Sequence, residues 1–131
     1  MTRSTRAGRL ETQVLDELWR LGEASVVQIH EALAERRRIA PTTVATILRR
    51  MEDKGLVSHR SDARRFLYRP TVDRRELRRS MIGELVDQLF GGSHAELMTH
   101  LVAEGEIDHR QLERLRKLVA EQKSKRRGLG S

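Results

Sequence analysis

The sequence predicts a mainly α-helical fold with a single small β-hairpin, and three observations predict it. Apolar residues recur at helical spacing along most of the chain. Aromatic residues make up only 3%, so the core must be aliphatic, and the helical period breaks once, after Gly55, into two short extended-looking runs. At 131 residues there is room for one compact domain, or a small domain with an assembly element, but not for two large independent cores.

Each element carries its own signal. Leu10, Val14, Leu15 and Leu18 make a first helix, closed by Gly22. Ser25-Val-Val-Gln28 is a capping-box pattern, in which each end can satisfy an orphan N–H, and it opens a second helix carrying Val26, Ile29 and Leu33. Arg36-Arg-Arg-Ile-Ala40 leads into a third. Pro41 suits its first position, where the missing N–H costs nothing, and Gly55 suits the residue after its last turn, where positive φ is wanted. Two helices joined in this way form a helix-turn-helix. Leu56-Val-Ser-His-Arg60 and Arg65-Phe-Leu-Tyr-Arg69 then read as strands around a polar turn, Ser61-Asp-Ala-Arg64, and Pro70 stops the second. Alternation puts Phe66 and Tyr68 on one face, able to pack on the helices, and Arg65 and Arg69 on the other. No Asn-Gly pair fixes the register.

From residue 73 three capping-box patterns, Asp73-Arg-Arg-Glu76, Ser93-His-Ala-Glu96 and Asp108-His-Arg-Gln111, open three further helices. Leu77, Met81, Leu85 and Leu89 line the first, which ends at Gly91-Gly92. Leu97, Met98, Leu101 and Val102 line the second, and Leu112, Leu115, Leu118 and Val119 the third. Three amphipathic helices in so short a stretch carry more apolar face than the stretch can bury by itself, which predicts a homodimer. Its interface is expected at Leu85, Leu89, Leu97, Leu101, Leu112 and Leu115. The expected organisation is an N-terminal domain over residues 1–72, a helical dimerisation region over 73–123, and a disordered tail over 124–131, where the apolar period is lost.

The third helix has two chemically different faces. Val44, Ile47, Leu48 and Met51 fall at i, i+3, i+4 and i+7, the stripe of a helix packed on neighbours, while Thr42, Thr43, Thr46, Arg49 and Arg50 project elsewhere. Short hydroxyl side chains let a helix lie close in a groove, and arginines one turn on reach phosphates or a guanine edge. Residues 36–69 hold ten Lys and Arg against three Asp and Glu, which accounts for the whole net charge of +7. A surplus confined to one stretch is the electrostatic footprint of a phosphate-binding surface. An anionic membrane would fit the charge equally well, but it does not explain the threonines. A basic hairpin directly after such a helix is a wing, so the predicted fold is a winged helix-turn-helix followed by a three-helix region, and the expected partner is double-stranded DNA. The rival reading is the same fold used as a protein-interaction scaffold, which would more naturally expose aromatic or aliphatic side chains on that helix.

Other chemistries find little support. Without cysteine there are no disulfides, thiolate metal sites or cysteine nucleophiles. His30, His59, His94, His100 and His109 are scattered over different elements with no metal-ligand spacing, and no nucleophile, base and orienting group can be assembled. Neither enzyme activity nor a cofactor or metal is expected. No run approaches the roughly 18 apolar residues of a membrane span, and no leader opens the chain, so a cytoplasmic protein without membrane insertion is expected.

From about Leu10 to Val119 the chain resembles the penicillinase-repressor and methicillin-resistance-repressor family of bacterial winged-helix transcriptional repressors. The matching pieces are Glu11-Thr-Gln-Val-Leu-Asp-Glu-Leu-Trp19, Ala40-Pro-Thr-Thr-Val-Ala-Thr-Ile-Leu-Arg-Arg-Met51, Lys54-Gly-Leu-Val57, Phe66-Leu-Tyr-Arg-Pro70 and Phe90-Gly-Gly-Ser93, followed by the Leu97 to Val119 helical pair. Their combination and order are far more specific than any one of them. The resemblance implies repression by a dimer on an inverted-repeat operator. Contacts would come from Thr42, Thr43, Ala45, Thr46 and Arg50 on the reader helix and from Arg64 and Arg65 at the wing. Arg49 joins the reader set on the periodicity argument above. In the β-lactam branch of the family a membrane sensor protease cuts an Asn-Phe bond in the dimerisation region. The corresponding bond here is His100-Leu101, so the inducing signal does not carry over with the fold. Copper-responsive relatives use C-terminal Cys-x-Cys pairs, and a chain without cysteine cannot sense copper by that route.

Overall fold

The structure, a computed structural model, describes residues 7 to 129. Residues 1–6 of the expected N-terminal domain and 130–131 of the expected tail lie outside the described residues. The elements run α1 Arg9–Leu21, β1 Ala24–Ser25, α2 Val26–Ala34, α3 Pro41–Asp53, β2 Val57–Asp62, β3 Arg65–Pro70, α4 Arg74–Phe90, α5 His94–Ala103 and α6 His109–Leu129. They gather into two compact units, one reaching Glu84 and the other starting at Leu85.

Local chemistry explains where the helices start and stop. The Gly8 N–H donates to the Glu11 carboxylate at 3.2 Å, and α1 ends at Gly22 with φ 83°. Both halves of the Ser25 capping box form: the Gln28 N–H donates to Ser25 Oγ at 3.2 Å, and the Ser25 N–H donates to Gln28 Oε1 at 2.8 Å. Pro41 opens α3, and Gly55 follows it with φ 81°. Asp73 caps α4, Ser93 caps α5, and Asp108 with Gln111 makes a second reciprocal box at the start of α6.

The three strands form one antiparallel sheet in the order β1-β3-β2. β1 has no signal in the sequence, because two residues are too short to show a period. The hairpin turn is also shorter than the sequence suggests. The strands continue to Asp62 and Arg65, leaving only Ala63 and Arg64 in the turn, with φ 47° and 71°. Two successive positive φ values are the signature of the type I′ turn, whose twist matches that of paired strands. Burial along β3 also departs from the expected alternation. Leu67 and Tyr68, next to each other and on opposite faces, are both buried, while Phe66 is 51% exposed. The reason is position along the hairpin: β1 pairs only with Leu67 and Tyr68, and Phe66 lies beyond it toward the tip.

In the first unit Val14, Leu15, Leu18, Ile29, Leu33, Val44, Leu48, Met51 and Leu56 form one aliphatic core, as the apolar stripes require. Leu77 joins it and Met81 packs against it, so the first half of the α4 stripe is consumed here rather than left for a second copy. The Trp19 indole N–H donates to the Val72 carbonyl at 2.9 Å, and the Arg74 guanidinium lies 5.0 Å from its ring centre, which ties the start of α4 to α1.

The second unit is different. Among its described residues only Val86 is fully buried. The last helix continues through residues 124–129, where the sequence reading expects disorder. Lys125, Arg126 and Arg127 are good helix formers, and a helix can persist locally without an apolar stripe.

Candidate nucleic-acid interface

The candidate surface is built on α3. Its buried residues are Val44, Ile47, Leu48 and Met51, the stripe identified in the sequence, and packing them inward leaves the opposite face outside. Thr42, Thr43, Thr46, Arg49 and Arg50 are exposed there, and Ala45 is partly exposed beside them. A small side chain at Ala45 keeps the helix surface low between the threonines. The preceding segment is held by His30, whose Nε2 donates to the Ile39 carbonyl at 2.8 Å and so fixes the approach to Pro41.

Thr46 is a refinement that the sequence could not supply. Its hydroxyl donates to the Thr42 carbonyl at 3.0 Å, one turn back along α3. The proton is therefore committed, and what Thr46 offers outward is a methyl group and oxygen lone pairs. Such a surface suits a thymine methyl or a base amino group better than a phosphate, which needs a donor.

Arg64 and Arg65 are exposed at the hairpin tip, and Arg65 opens β3. Among the described residues neither they nor Arg49 and Arg50 enter an ion pair or a side-chain hydrogen bond. Arg60, two strand positions from the turn, is equally basic in sequence but engaged in structure. Its Nε and Nη2 donate to the two carboxylate oxygens of Glu23 at 2.9 and 2.8 Å. The hydrogen bonds from Arg60 hold the Glu23 carboxyl below the usual carboxylate range, and Glu23 in turn raises the guanidinium.

The hairpin meets α3 through a second acidic residue absent from the sequence-derived set. His59 donates from Nδ1 to the carboxylate of Glu52, in the last turn of α3, with Oε2 at 3.0 Å and Oε1 closer still. The imidazole packs, tilted, against Phe66 with ring centres 4.4 Å apart and against Tyr68 at 5.3 Å. Burial pushes the Tyr68 phenol above its ordinary range. Neither Glu52 nor His59 belongs to a sequence motif. The only signal is that His59 pairs directly with Tyr68, a register known once the turn is seen to hold two residues.

The remaining candidate residues lie in the second unit. Leu85, Leu89, Leu112 and Leu115 are exposed, while Leu97 and Leu101 are half-buried. Met98, Val102, Leu118 and Val119 add to the exposed apolar surface. His100 packs against Phe90 at 5.7 Å between ring centres, and the His100–Leu101 bond lies inside α5. Among the described residues no group of three or more His, Asp or Glu side chains could hold a metal ion, and no helix is long and apolar enough to cross a membrane.

Comparison with known proteins decides the lineage. The family described as penicillinase repressor matches residues 7–121. The chain belongs to the penicillinase repressor family. Over 126 residues it is 39% identical to the transcriptional regulator BlaI of Mycobacterium tuberculosis, an alignment that covers 92% of this chain and 88% of that protein. It is 22% identical over 109 residues to the methicillin resistance regulatory protein MecI of Mammaliicoccus sciuri, covering 83% and 89% of the two chains. The solution structure of the DNA-binding domain of the repressor BlaI superposes with a TM-score of 0.52 at 24% identity, covering 58% of this chain and 93% of that one. At that identity the superposition establishes the winged-helix fold. The penicillinase repressor family consists of DNA-binding transcriptional repressors, not enzymes.

Proposed function

We propose that this chain is a sequence-specific repressor that binds an inverted-repeat operator as a homodimer. The observation that carries the reading is the division of α3: four apolar residues are buried, while Thr42, Thr43, Ala45, Thr46, Arg49 and Arg50 form a threonine and arginine surface on the other side. A scaffold would more naturally present apolar anchors on that face. The unengaged Arg64 and Arg65 add a second cationic contact at the wing.

A dimer is supported by the second unit, where among the described residues one is buried against Leu85, Leu89, Met98, Val102, Leu112, Leu115, Leu118 and Val119 exposed. A helix as short as the ten residues of α5 is marginal in water unless an apolar face is covered. A second copy supplies that cover on the part of the 73–123 region from Leu85 onward, since Leu77 and Met81 are taken up by the core of the first unit. Sedimentation of the full chain should give a dimer at micromolar concentration, and the fragment ending at Glu84, which keeps Leu77 in its core, should be monomeric. A monomeric full-length chain contradicts this.

Release is assigned to a signal acting on the second unit. The His100–Leu101 bond differs from the Asn-Phe bond of the β-lactam branch and lies within helical backbone, which a protease must unwind before cutting. A sensor protease of that branch, incubated with the chain, should leave the bond intact; efficient cleavage there would show that the departure is tolerated.

A further inference from the structure

We propose that two acidic residues outside the DNA-contacting set, Glu52 and Glu23, are positioning residues that hold the wing at a fixed angle to α3 by gripping β2 from its two faces. This rests on the DNA-binding reading above. His59 and Arg60 are consecutive in β2, so their side chains leave the strand on opposite faces. Each meets a carboxylate from a different element. His59 donates to Glu52 at the end of α3, and Arg60 makes a two-pronged contact with Glu23, just before β1. On the α3 side the imidazole is confined further by Phe66 and Tyr68 across the hairpin.

The hairpin needs such support. A two-stranded hairpin is marginal by itself in water, and β1 extends the sheet over only Leu67 and Tyr68. Beyond that pairing, from Ser61 round to Phe66, no third strand among the described residues joins the tip, and it is the tip that carries Arg64 and Arg65. An arginine on a wandering hairpin must be ordered at the moment of binding, and that ordering opposes affinity; an arginine on a fixed hairpin has no such cost.

A clamp and simple electrostatics predict effects of opposite sign. Removing a carboxylate from a DNA-facing surface should strengthen binding through charge alone. If Glu52 acts as a clamp, Glu52→Ala should instead weaken it. Glu52→Gln removes the same charge but keeps an oxygen that can accept from His59, so comparison of the two variants isolates the clamp.

The test uses the full chain, a duplex carrying the inverted repeat that the wild type selects from a random library, and a scrambled duplex of the same composition. Glu52→Ala should bind the selected duplex about three- to tenfold more weakly than Glu52→Gln, the cost of ordering one or two side chains on binding. Its salt slope should stay the same, because the wing arginines still reach their phosphates and only the cost of ordering them is added. In an Arg64→Ala/Arg65→Ala background the difference between the two variants should vanish, because the clamp acts through those arginines. Glu23→Ala against Glu23→Gln should repeat the pattern from the other face. Unfolding midpoints of each variant identify any that fail to fold, and the Glu23 pair supplies the comparison if Glu52→Ala is lost, as the Glu52 pair does if Glu23→Ala is lost. Equal binding by the Ala and Gln variants overturns the clamp, as does a difference that persists without the wing arginines. If the wild type selects no sequence at all, it is the DNA-binding reading that fails.

Discussion

Replacing Arg50 with alanine separates reading a sequence from merely holding DNA. Arg50 and Thr46 are four residues apart on the exposed face of α3, about 6 Å along the axis at 1.5 Å per residue and within a quarter-turn of each other. The whole helix of 13 residues is about 20 Å long, and a major groove about 12 Å wide accepts its exposed face. A base-edge contact discriminates by about 1 to 3 kcal/mol, so Arg50→Ala should weaken binding to the selected duplex about 5- to 150-fold. Scrambled duplex should lose only the share due to one cation. Arg64, exposed at the tip, provides the contrast. If it meets a phosphate, Arg64→Ala should weaken both duplexes alike and lower the salt slope by about 0.9. Between 50 and 200 mM salt that change alone reduces the fall in affinity by a factor of about 3.5. Fluorescence-anisotropy titrations of the three proteins on both duplexes at several salt concentrations measure every quantity. If Arg50→Ala and Arg64→Ala lose the same factor on both duplexes, α3 is a charged support and not the reader. If neither changes binding, the interface lies elsewhere.

Three further outcomes follow from the fold. Leu48 is fully buried under α3, so Leu48→Ala should cost about 3 kcal/mol and lower the unfolding midpoint of the first unit by about 10 to 20 °C in calorimetry; a shift of a degree or two would mean that the α3 stripe is not core. Ala63 has φ 47° without being glycine, and asparagine tolerates that conformation better, so Ala63→Asn should add about 0.5 to 1 kcal/mol in urea unfolding, whereas a loss would contradict the two-residue turn. The Glu23 carboxyl is held below its ordinary value of 4.5 by Arg60, so its contribution is present above that value and lost as pH falls through the depressed one. Acid unfolding below about pH 4.5 should therefore be less steep in Glu23→Gln than in the wild type, and identical pH profiles would show that the pair does not matter to stability.

Most of the fold is legible in the sequence because helices announce themselves locally. The stripe from Val44 to Met51, the Ser25 capping box and the glycines at 22 and 55 each act within a turn of their own position, and the structure shows them doing so. What is not legible depends on pairing at a distance. The two-residue β1 exists only because β3 is there to pair with it, and the exposure of Phe66 is decided by where β1 ends. The same holds for the interface. Local periodicity is enough to place Thr42 to Arg50 on one exposed face. It cannot show that Arg60 is held by a glutamate 37 residues earlier, or that the Thr46 proton is turned inward. Charge counting treats Arg60 and Arg64 as equals, and only the fold distinguishes a cation already engaged from one free to meet a phosphate. The apolar stripe from Leu77 to Val119 reads as continuous in sequence, yet Leu77 and Met81 belong to the core of the first unit, which narrows the surface available to a second copy to the residues from Leu85 onward.

The most direct test of the central claim is a footprint of the full-length chain on genomic DNA. A dimeric reader built on α3 should protect a site with dyad symmetry whose half-sites lie about one helical turn apart, roughly 10 base pairs, or a multiple of that spacing. Uniform protection without a preferred site, or a preferred site lacking dyad symmetry, would contradict it.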